Sequence, residues 1–479
     1  MNKELAFTSA WEMRDLIANK KISPLEITQI YFNRIHELDS HLNSYLTLNE
    51  EEALKTARKA EEAVIKGESL GLLHGIPIAV KDMEMTRDLR TTFGSLIYKE
   101  NIPTIDSILV ERLRKAGAII LGKTNTSEFG AVGFNQNKLG DDCRNPWNIE
   151  RTTGASSGGT AAALSAGLCS LATGGDGGGS IRVPASYCGL YGLKNTQGRV
   201  PTYSGNINPY FPNYLSQHGP MSRSVRDSAM MLEVVAGYDP RDINSLKETP
   251  PNYVEALTRD IKGLRFGWSP DFGFINSEKE VLNTTFNSIK VFEDLGCYID
   301  ESKLVLNDPF FAWWTLHSVN FQASHSRLLK EHENEMTTYV KYTLEAAKNI
   351  SISDYIKALW ERNLMISKFE DEFEKFDLLL SPTMPTTAFS IDKIPKEIAG
   401  KPVYPSPESM LYLWGFHPFT YPINAIGYPA ATVPCGFSSD GMPIGLHIIG
   451  KKGDEETVIA ASSAFEKAKP WTQYTPPIS

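Results

Sequence analysis

The groups best placed to do chemistry concentrate between residues 153 and 196. Two small-residue runs stand there, Gly154-Ala155-Ser156-Ser157-Gly158-Gly159 and Gly174-Gly175-Asp176-Gly177-Gly178-Gly179-Ser180. Glycine admits positive φ and lets other groups come close to the backbone. A run of glycine N–H groups ahead of a serine can aim several donors at one oxygen, which is how an oxyanion hole is made. Tight turns or a flexible linker would give a similar composition. A linker, however, would not be embedded in apolar strands and followed at once by Ile181-Arg182-Val183-Pro184.

Three short motifs compete for attention. Gly117 to Thr124 fits the phosphate-loop pattern G-x-x-x-x-G-K-T. That loop must wrap a phosphate with backbone N–H groups. Its middle residues here, Ala118-Ile119-Ile120-Leu121, favour a strand, so a helix–Gly–strand junction is expected. Gly154 to Gly158 fits the G-x-S-x-G nucleophile elbow, which needs a strand just before it. Asn145-Pro146-Trp147-Asn148 reads as loop, while downstream histidines keep a His-based triad open on count. Ser390-Ile391-Asp392-Lys393 fits S-x-x-K but lacks its partner motifs, which makes it a chance match.

These groups must be carried by a fold, and composition narrows it. The chain has 479 residues and net charge −9, from 48 Lys+Arg and 57 Asp+Glu. Bulk charge therefore argues against nucleic-acid binding. No apolar run approaches the roughly 20 residues of a membrane span, and Met1 to Leu5 has no secretory apolar stretch. The five cysteines are odd in number, widely spaced and without C-x-x-C. That predicts neither a disulfide framework nor a zinc site, and fits a cytoplasmic protein.

Residues 1–70 read as helices, with capping boxes at Ser9 to Glu12 and Ser23 to Glu26 and a stop at Gly67. Buried strands are expected at Ile76 to Lys81, Ala118 to Leu121 and Cys169 to Thr173. Helices are expected at Asp106 to Lys115 and Gly158 to Gly167. Asn206 to Ser216 reads as a loop and Ser224 to Ala236 as a helix. Residues 279–375 read as mainly helical. Strands return at Asp377 to Leu380, Ala430 to Pro434 and Ile444 to Ile449, before a closing helix from Glu455 to Ala468. This alternation predicts a single large α/β domain, 1–479, with a mixed central sheet covered by helices.

Gly154 to Thr160 and Gly175-Asp176-Gly177-Gly178-Gly179-Ser180-Ile181-Arg182-Val183-Pro184-Ala185 resemble the core of the amidase signature family. The resemblance continues through Gly75 to Asp82, Gly122 to Phe129, Gly192 to Thr196 and Pro429 to Gly436. It marks 71–205 as the signature core, 240–400 as a mainly helical substrate-side region and 401–479 as the part that completes the sheet. It implies a Ser–Ser–Lys amidase: Ser180 as nucleophile, Ser156 as the bridging serine after a cis peptide bond, and Lys81 as base. Gly177, Gly178 and Gly179 would supply oxyanion-hole N–H groups, together with that of Ser180. Ser157, Asp176 and Arg182 would be supports. A lysine base must be neutral, so burial must lower its pKa from about 10.4 by roughly three units. Lys123 and Lys194 also lie near core motifs; Lys81 is preferred because it ends an apolar strand and matches the family. Ala155, Thr160 and Gly175 stand where the family usually has Gly, Ser and Thr.

The family includes free-standing amidases and the glutaminase subunit of the tRNA-dependent amidotransferase. The latter usually holds the substrate ammonium with an Asp shortly before the C-terminal Pro-x-Asn-x-x-Gly segment. Here Leu413 to Thr420 has no carboxylate. That favours small neutral or apolar amides, linear or cyclic; the alternative is the glutaminase subunit. The Gly-Asp-Gly-Gly-Gly-Ser variant is most similar to 6-aminohexanoate cyclic dimer hydrolase-like amidases. No metal, nucleotide or other cofactor is expected, nor a nucleic-acid or membrane partner, and a homodimer is compatible with the sequence. Phe310-Phe311-Ala312-Trp313-Trp314 and Trp414 to Phe419 are candidates for a pocket wall, or for core.

Overall fold

The computed structural model describes residues 2–203, 214–403, 405 and 408–479. Most of the loop expected over 206–216 lies outside them. The strands are β1 (Tyr45–Leu48), β2 (Pro77–Lys81), β3 (Ile119–Thr124), β4 (Leu171–Asp176), β5 (Tyr191–Lys194) and β6 (Gln217–Ser222). They continue with β7 (Arg265–Trp268), β8 (Tyr298–Glu301), β9 (Leu378–Pro382), β10 (Ala430–Phe437) and β11 (Pro443–Gly450). All eleven form one mixed sheet in the order β1-β3-β2-β4-β6-β5-β10-β11-β9-β7-β8. β2 runs parallel to both β3 and β4, whereas β6 pairs antiparallel with β4. The chain is a single α/β domain built on this sheet.

Both faces of the sheet are covered. Along β9, Leu378 and Leu380 enter one core while Leu379 enters the other. That is the period of two expected of a strand buried on both sides. One core packs the N-terminal helices and the closing helix Glu455–Ala468. The second is rich in aromatic side chains and lies under the helices Phe310–His332, Thr338–Ala347 and Ile352–Phe373.

The helix starts follow local chemistry. Ser23 accepts from the N–H groups of Leu25 and Glu26, and Pro24 takes the first turn. Glu50–Lys66 ends at Gly67, whose φ of +71° closes the last turn. The helix Gly158–Ser165 is buried all round. It can lie this deep because Gly159 has no side chain: a Cβ there would sit 2.3 Å from the backbone nitrogen of Asn125.

Some expectations need adjustment. The first 70 residues are not wholly helical, because Tyr45–Leu48 pairs with β3 as an edge strand. Of the Asn145–Asn148 loop only Pro146 and Trp147 are a turn; they join Arg144–Asn145 to Asn148–Thr152, a paired strand that stands just before Gly154. The strand inside the phosphate-loop match is real and runs through Lys123 to Thr124. A Cβ on Gly122 would meet the Thr47 carbonyl oxygen at 2.3 Å, so no phosphate can be wrapped there. No helix among the described residues is long and apolar enough to cross a membrane.

Candidate active site

Lys81 is the last residue of β2, and Asp176 the last of β4, its parallel neighbour. Both therefore stand at the carboxyl end of the sheet, where open α/β sheets bind ligands. The Lys81 N–H donates to Thr173 Oγ1 at 2.9 Å, which holds the strand end in place. Its ammonium nitrogen lies 2.7 Å from Ser156 Oγ, 3.0 Å from Ser157 Oγ and 3.3 Å from the Gly175 carbonyl oxygen. The side chain is buried, and burial pulls its pKa from 10.5 down to about 7, against the attraction of Asp176 and Glu84. At the ordinary value about one lysine in three thousand would be neutral at pH 7; at about 7, half are.

Ser156 follows a cis peptide bond from Ala155 and precedes the buried helix. It lines the central cavity together with Lys81, Gly177, Gly178, Gly179 and Ser180. Ser157 is different: its hydroxyl is fully buried and shared between Lys81 and the backbone of Gly175. The geometry thus gives Ser156 the open position and Ser157 the supporting one.

The Gly177–Ser180 loop shows a division of labour. Its carbonyls are all occupied. Gly177 O accepts from Trp313 Nε1 at 3.0 Å and Gly178 O from Thr420 Oγ1 at 2.6 Å. Gly179 O accepts from Val183 N at 2.7 Å and Ser180 O from Ser157 N at 3.2 Å. Its four N–H groups have no acceptor among the described residues. Buried backbone donors are nearly always paired, so four consecutive free ones on a cavity wall mark a place for an oxygen. Ser180 is partly exposed to that cavity, and its hydroxyl is likewise unpartnered among the described residues. Gly179 has φ +134°, and a Cβ there would lie 2.3 Å from Thr420 Oγ1.

Beneath the loop lies a buried ion pair. Asp176 Oδ2 accepts from Arg182 Nε at 3.0 Å and from the N–H groups of Ile181 and Arg182 at 3.2 and 3.3 Å. Asp176 Oδ1 accepts from Arg182 Nη2 at 3.0 Å and Asn424 Nδ2 at 2.8 Å. The Arg182 guanidinium also reaches Thr420 O, Asn424 Oδ1 and His447 Nε2. Burial alone would raise the Asp176 pKa, but Arg182 holds it far below the usual carboxylate range. The expected supports Asp176 and Arg182 thus anchor both ends of the glycine loop to the C-terminal part of the chain.

The alternatives sit elsewhere. Lys123 donates to the Glu84 carbonyl, Thr86 and Thr91, and Lys194 to Asn195 O and Gln217 Oε1. Burial lowers both pKa values, to about 8 and about 7, yet neither ammonium touches a serine of the site. Ser390 is exposed and does not line the cavity. Thr160 fits its place by bonding Thr124 Oγ1 at 2.7 Å and Thr173 O at 3.0 Å. Trp313, Trp414 and His417 line the cavity, whereas Phe310, Phe416 and Phe419 belong to the core. Sequence reasoning missed Thr420, Asn424 and the His218–Glu84 hydrogen bond on the cavity wall. Asn424 carries one readable signal, its place in Pro422-Ile423-Asn424-Ala425-Ile426-Gly427.

The family model described as Amidase matches residues 26–459. The chain belongs to the amidase signature family. It is 36% identical to the A-subunit of the glutamyl-tRNA(Gln) amidotransferase of Moorella thermoacetica, covering 99% of each chain. It is 35% identical to an acylamidase of Rhodococcus erythropolis, covering 99% of this chain and 98% of the other. Among solved structures it superposes on a bacterial aryl acylamidase with TM-score 0.89 and 30% identity, over 98% of this chain and 97% of that one. The 6-aminohexanoate cyclic dimer hydrolase bound to substrate gives 0.87 and 26%, over 99% of both chains. The amidase is thus a hydrolase of amide C–N bonds.

Proposed function

We propose that this amidase is a free-standing serine amidohydrolase of small uncharged carboxamides, working through an acyl-enzyme on Ser180. The observation that carries the reading is the pairing of Lys81 with Ser156 beside four free N–H groups that end at Ser180. In the first step neutral Lys81 takes the Ser156 proton, Ser156 takes that of Ser180, and Ser180 Oγ bonds to the carbonyl carbon. The developing oxyanion is received by the N–H groups of Gly177, Gly178, Gly179 and Ser180. When the C–N bond breaks, the proton returns from Lys81 through Ser156 to the leaving nitrogen. Water then repeats the route on the ester. None of these steps calls on a metal or nucleotide. The five cysteines are unpaired, in keeping with a cytoplasmic setting.

The cavity supports an uncharged substrate. Two carboxylates line it among the described residues, Glu84 and Asp242. Glu84 is tied to His218 and to Ser107 Oγ, and Asp242 accepts from Thr202 N and Asn244 N. His317, His325 and His417 also line it, and burial holds all three neutral, with pKa values near 4. The glutaminase-subunit reading rests on the 36% identity to the Moorella amidotransferase chain. Against it stands the Leu413–Thr420 segment, where His417 occupies the cavity wall and no carboxylate does.

Ser180→Ala is expected to lower amide turnover by at least about 10⁴-fold while leaving thermal unfolding unchanged. A fluorophosphonate should label Ser180, as read by peptide mass mapping; a label on Ser156 or Ser390 contradicts the assignment. Amide hydrolysis should fall as pH drops through about 7, because protonated Lys81 cannot accept a proton. Lys81→Arg should not rescue, since arginine stays protonated. Lys81→Ala should cost more on amides than on nitrophenyl esters, whose leaving group departs without a proton; equal losses would disprove the acid half of the role. In a hydrolysis panel, neutral amides should outrun free glutamine. Efficient ammonia release from glutamine would move the reading to the amidotransferase complex.

A further inference from the structure

The helix Phe310–His332 carries Trp313, His317, Phe321 and His325 four residues apart, hence on one face. Their rings form a continuous column. Trp313 stacks on His317 with centroids 5.0 Å apart and planes at 10°. His317 meets Phe321 at 5.9 Å, and Phe321 stacks on His325 at 4.5 Å. All four line the catalytic cavity. The helix flanks the candidate site at both ends. Trp313 Nε1 bonds Gly177 at the oxyanion loop. His325 rests on Phe129 at 4.5 Å, and the next residue, Gly130, is so close to Ser156 that a Cβ would lie 3.2 Å from its Oγ.

The column is not only apolar. His325 Nδ1 lies 3.0 Å from the Phe321 carbonyl oxygen, so Nδ1 carries the proton and Nε2 is left as an acceptor. That Nε2 has no partner among the described residues. The Asn320 amide, one turn before Ser324 on the same wall, is also unpartnered there. His317 bonds nothing among the described residues, and its Nε2 is shut away from solvent without a partner. Burial keeps His317 and His325 uncharged at neutral pH. Buried polar atoms left unpaired are costly, which marks His317 Nε2 as a place for a partner, while half-buried His325 keeps its free acceptor on the cavity wall.

We propose that His325 forms a specificity subsite for aryl amides that carry an uncharged O–H or N–H donor on the ring, away from the scissile bond. The ring column supplies the flat apolar wall, and His325 Nε2 accepts the donor's hydrogen. The proposal rests on the amidase reading above and adds the substrate class.

The test uses acetanilides and benzamides bearing either para-hydroxymethyl or para-ethyl, groups of like size that differ in one donor. Wild-type protein should prefer hydroxymethyl in kcat/KM by about 2- to 13-fold, the equivalent of one net hydrogen bond, and chiefly through KM. In His325→Phe, which keeps the ring and removes the acceptor, the ratio should collapse to near one. His325→Gln, which restores an acceptor oxygen, should recover part of it. A wild-type ratio near one overturns the proposal before any variant is made. So does a ratio that His325→Phe leaves intact, since a structural role lowers both substrates alike. Failure of wild type to cleave any amide at all would instead overturn the amidase reading.

Discussion

The site depends on burying one amine without giving it a carboxylate in contact. Lys81 is surrounded by two serine hydroxyls and a carbonyl, all of them neutral. A carboxylate at hydrogen-bonding distance would hold its proton and leave it useless as a base. Asp176 and Glu84 are near enough to attract the ammonium, but Asp176 is paired with Arg182 and Glu84 is hydrogen-bonded to His218. Desolvation therefore wins, and the amine is poised near neutrality. The fold permits this by placing Lys81 at the end of a strand buried on both faces, where the backbone is already satisfied.

The second requirement is a rigid donor loop. Four N–H groups can stay free only if something else holds the loop, and here the carbonyls do it. Trp313, Thr420, Val183 and Ser157 each take one carbonyl oxygen, and the Asp176–Arg182 pair fastens the loop's ends to Asn424 and His447. These partners come from five separate parts of the chain. Removing one partner of a buried ion pair leaves an uncompensated charge, so this support is structural as well as electrostatic.

Much of this was legible in the residues, for physical reasons. The glycine runs announce close backbone approach, and the gaps they fill are visible at Gly159 and Gly179. The long amphipathic helices and the apolar strands β2, β3 and β11 declare themselves by period and composition. Four-residue strands do not: Tyr45–Leu48 and Tyr298–Glu301 are too short to show alternation and exist because neighbouring strands offer them a partner. The role of Trp313 against that of Trp314 depends on one residue of helix rotation, which the adjacent aromatics hide. Thr420, His218 and His325 could not be read at all, because their meaning comes from groups more than 40 residues away or from a tautomer set by a carbonyl.

The most direct measurement is the titration of the Lys81 side chain itself, followed by nitrogen NMR on protein with labelled lysine, with Lys81→Arg used to assign the signal. Lys81 should titrate near pH 7 in the resting enzyme. A Lys81 that keeps its proton until near pH 10, the ordinary lysine range, would contradict it.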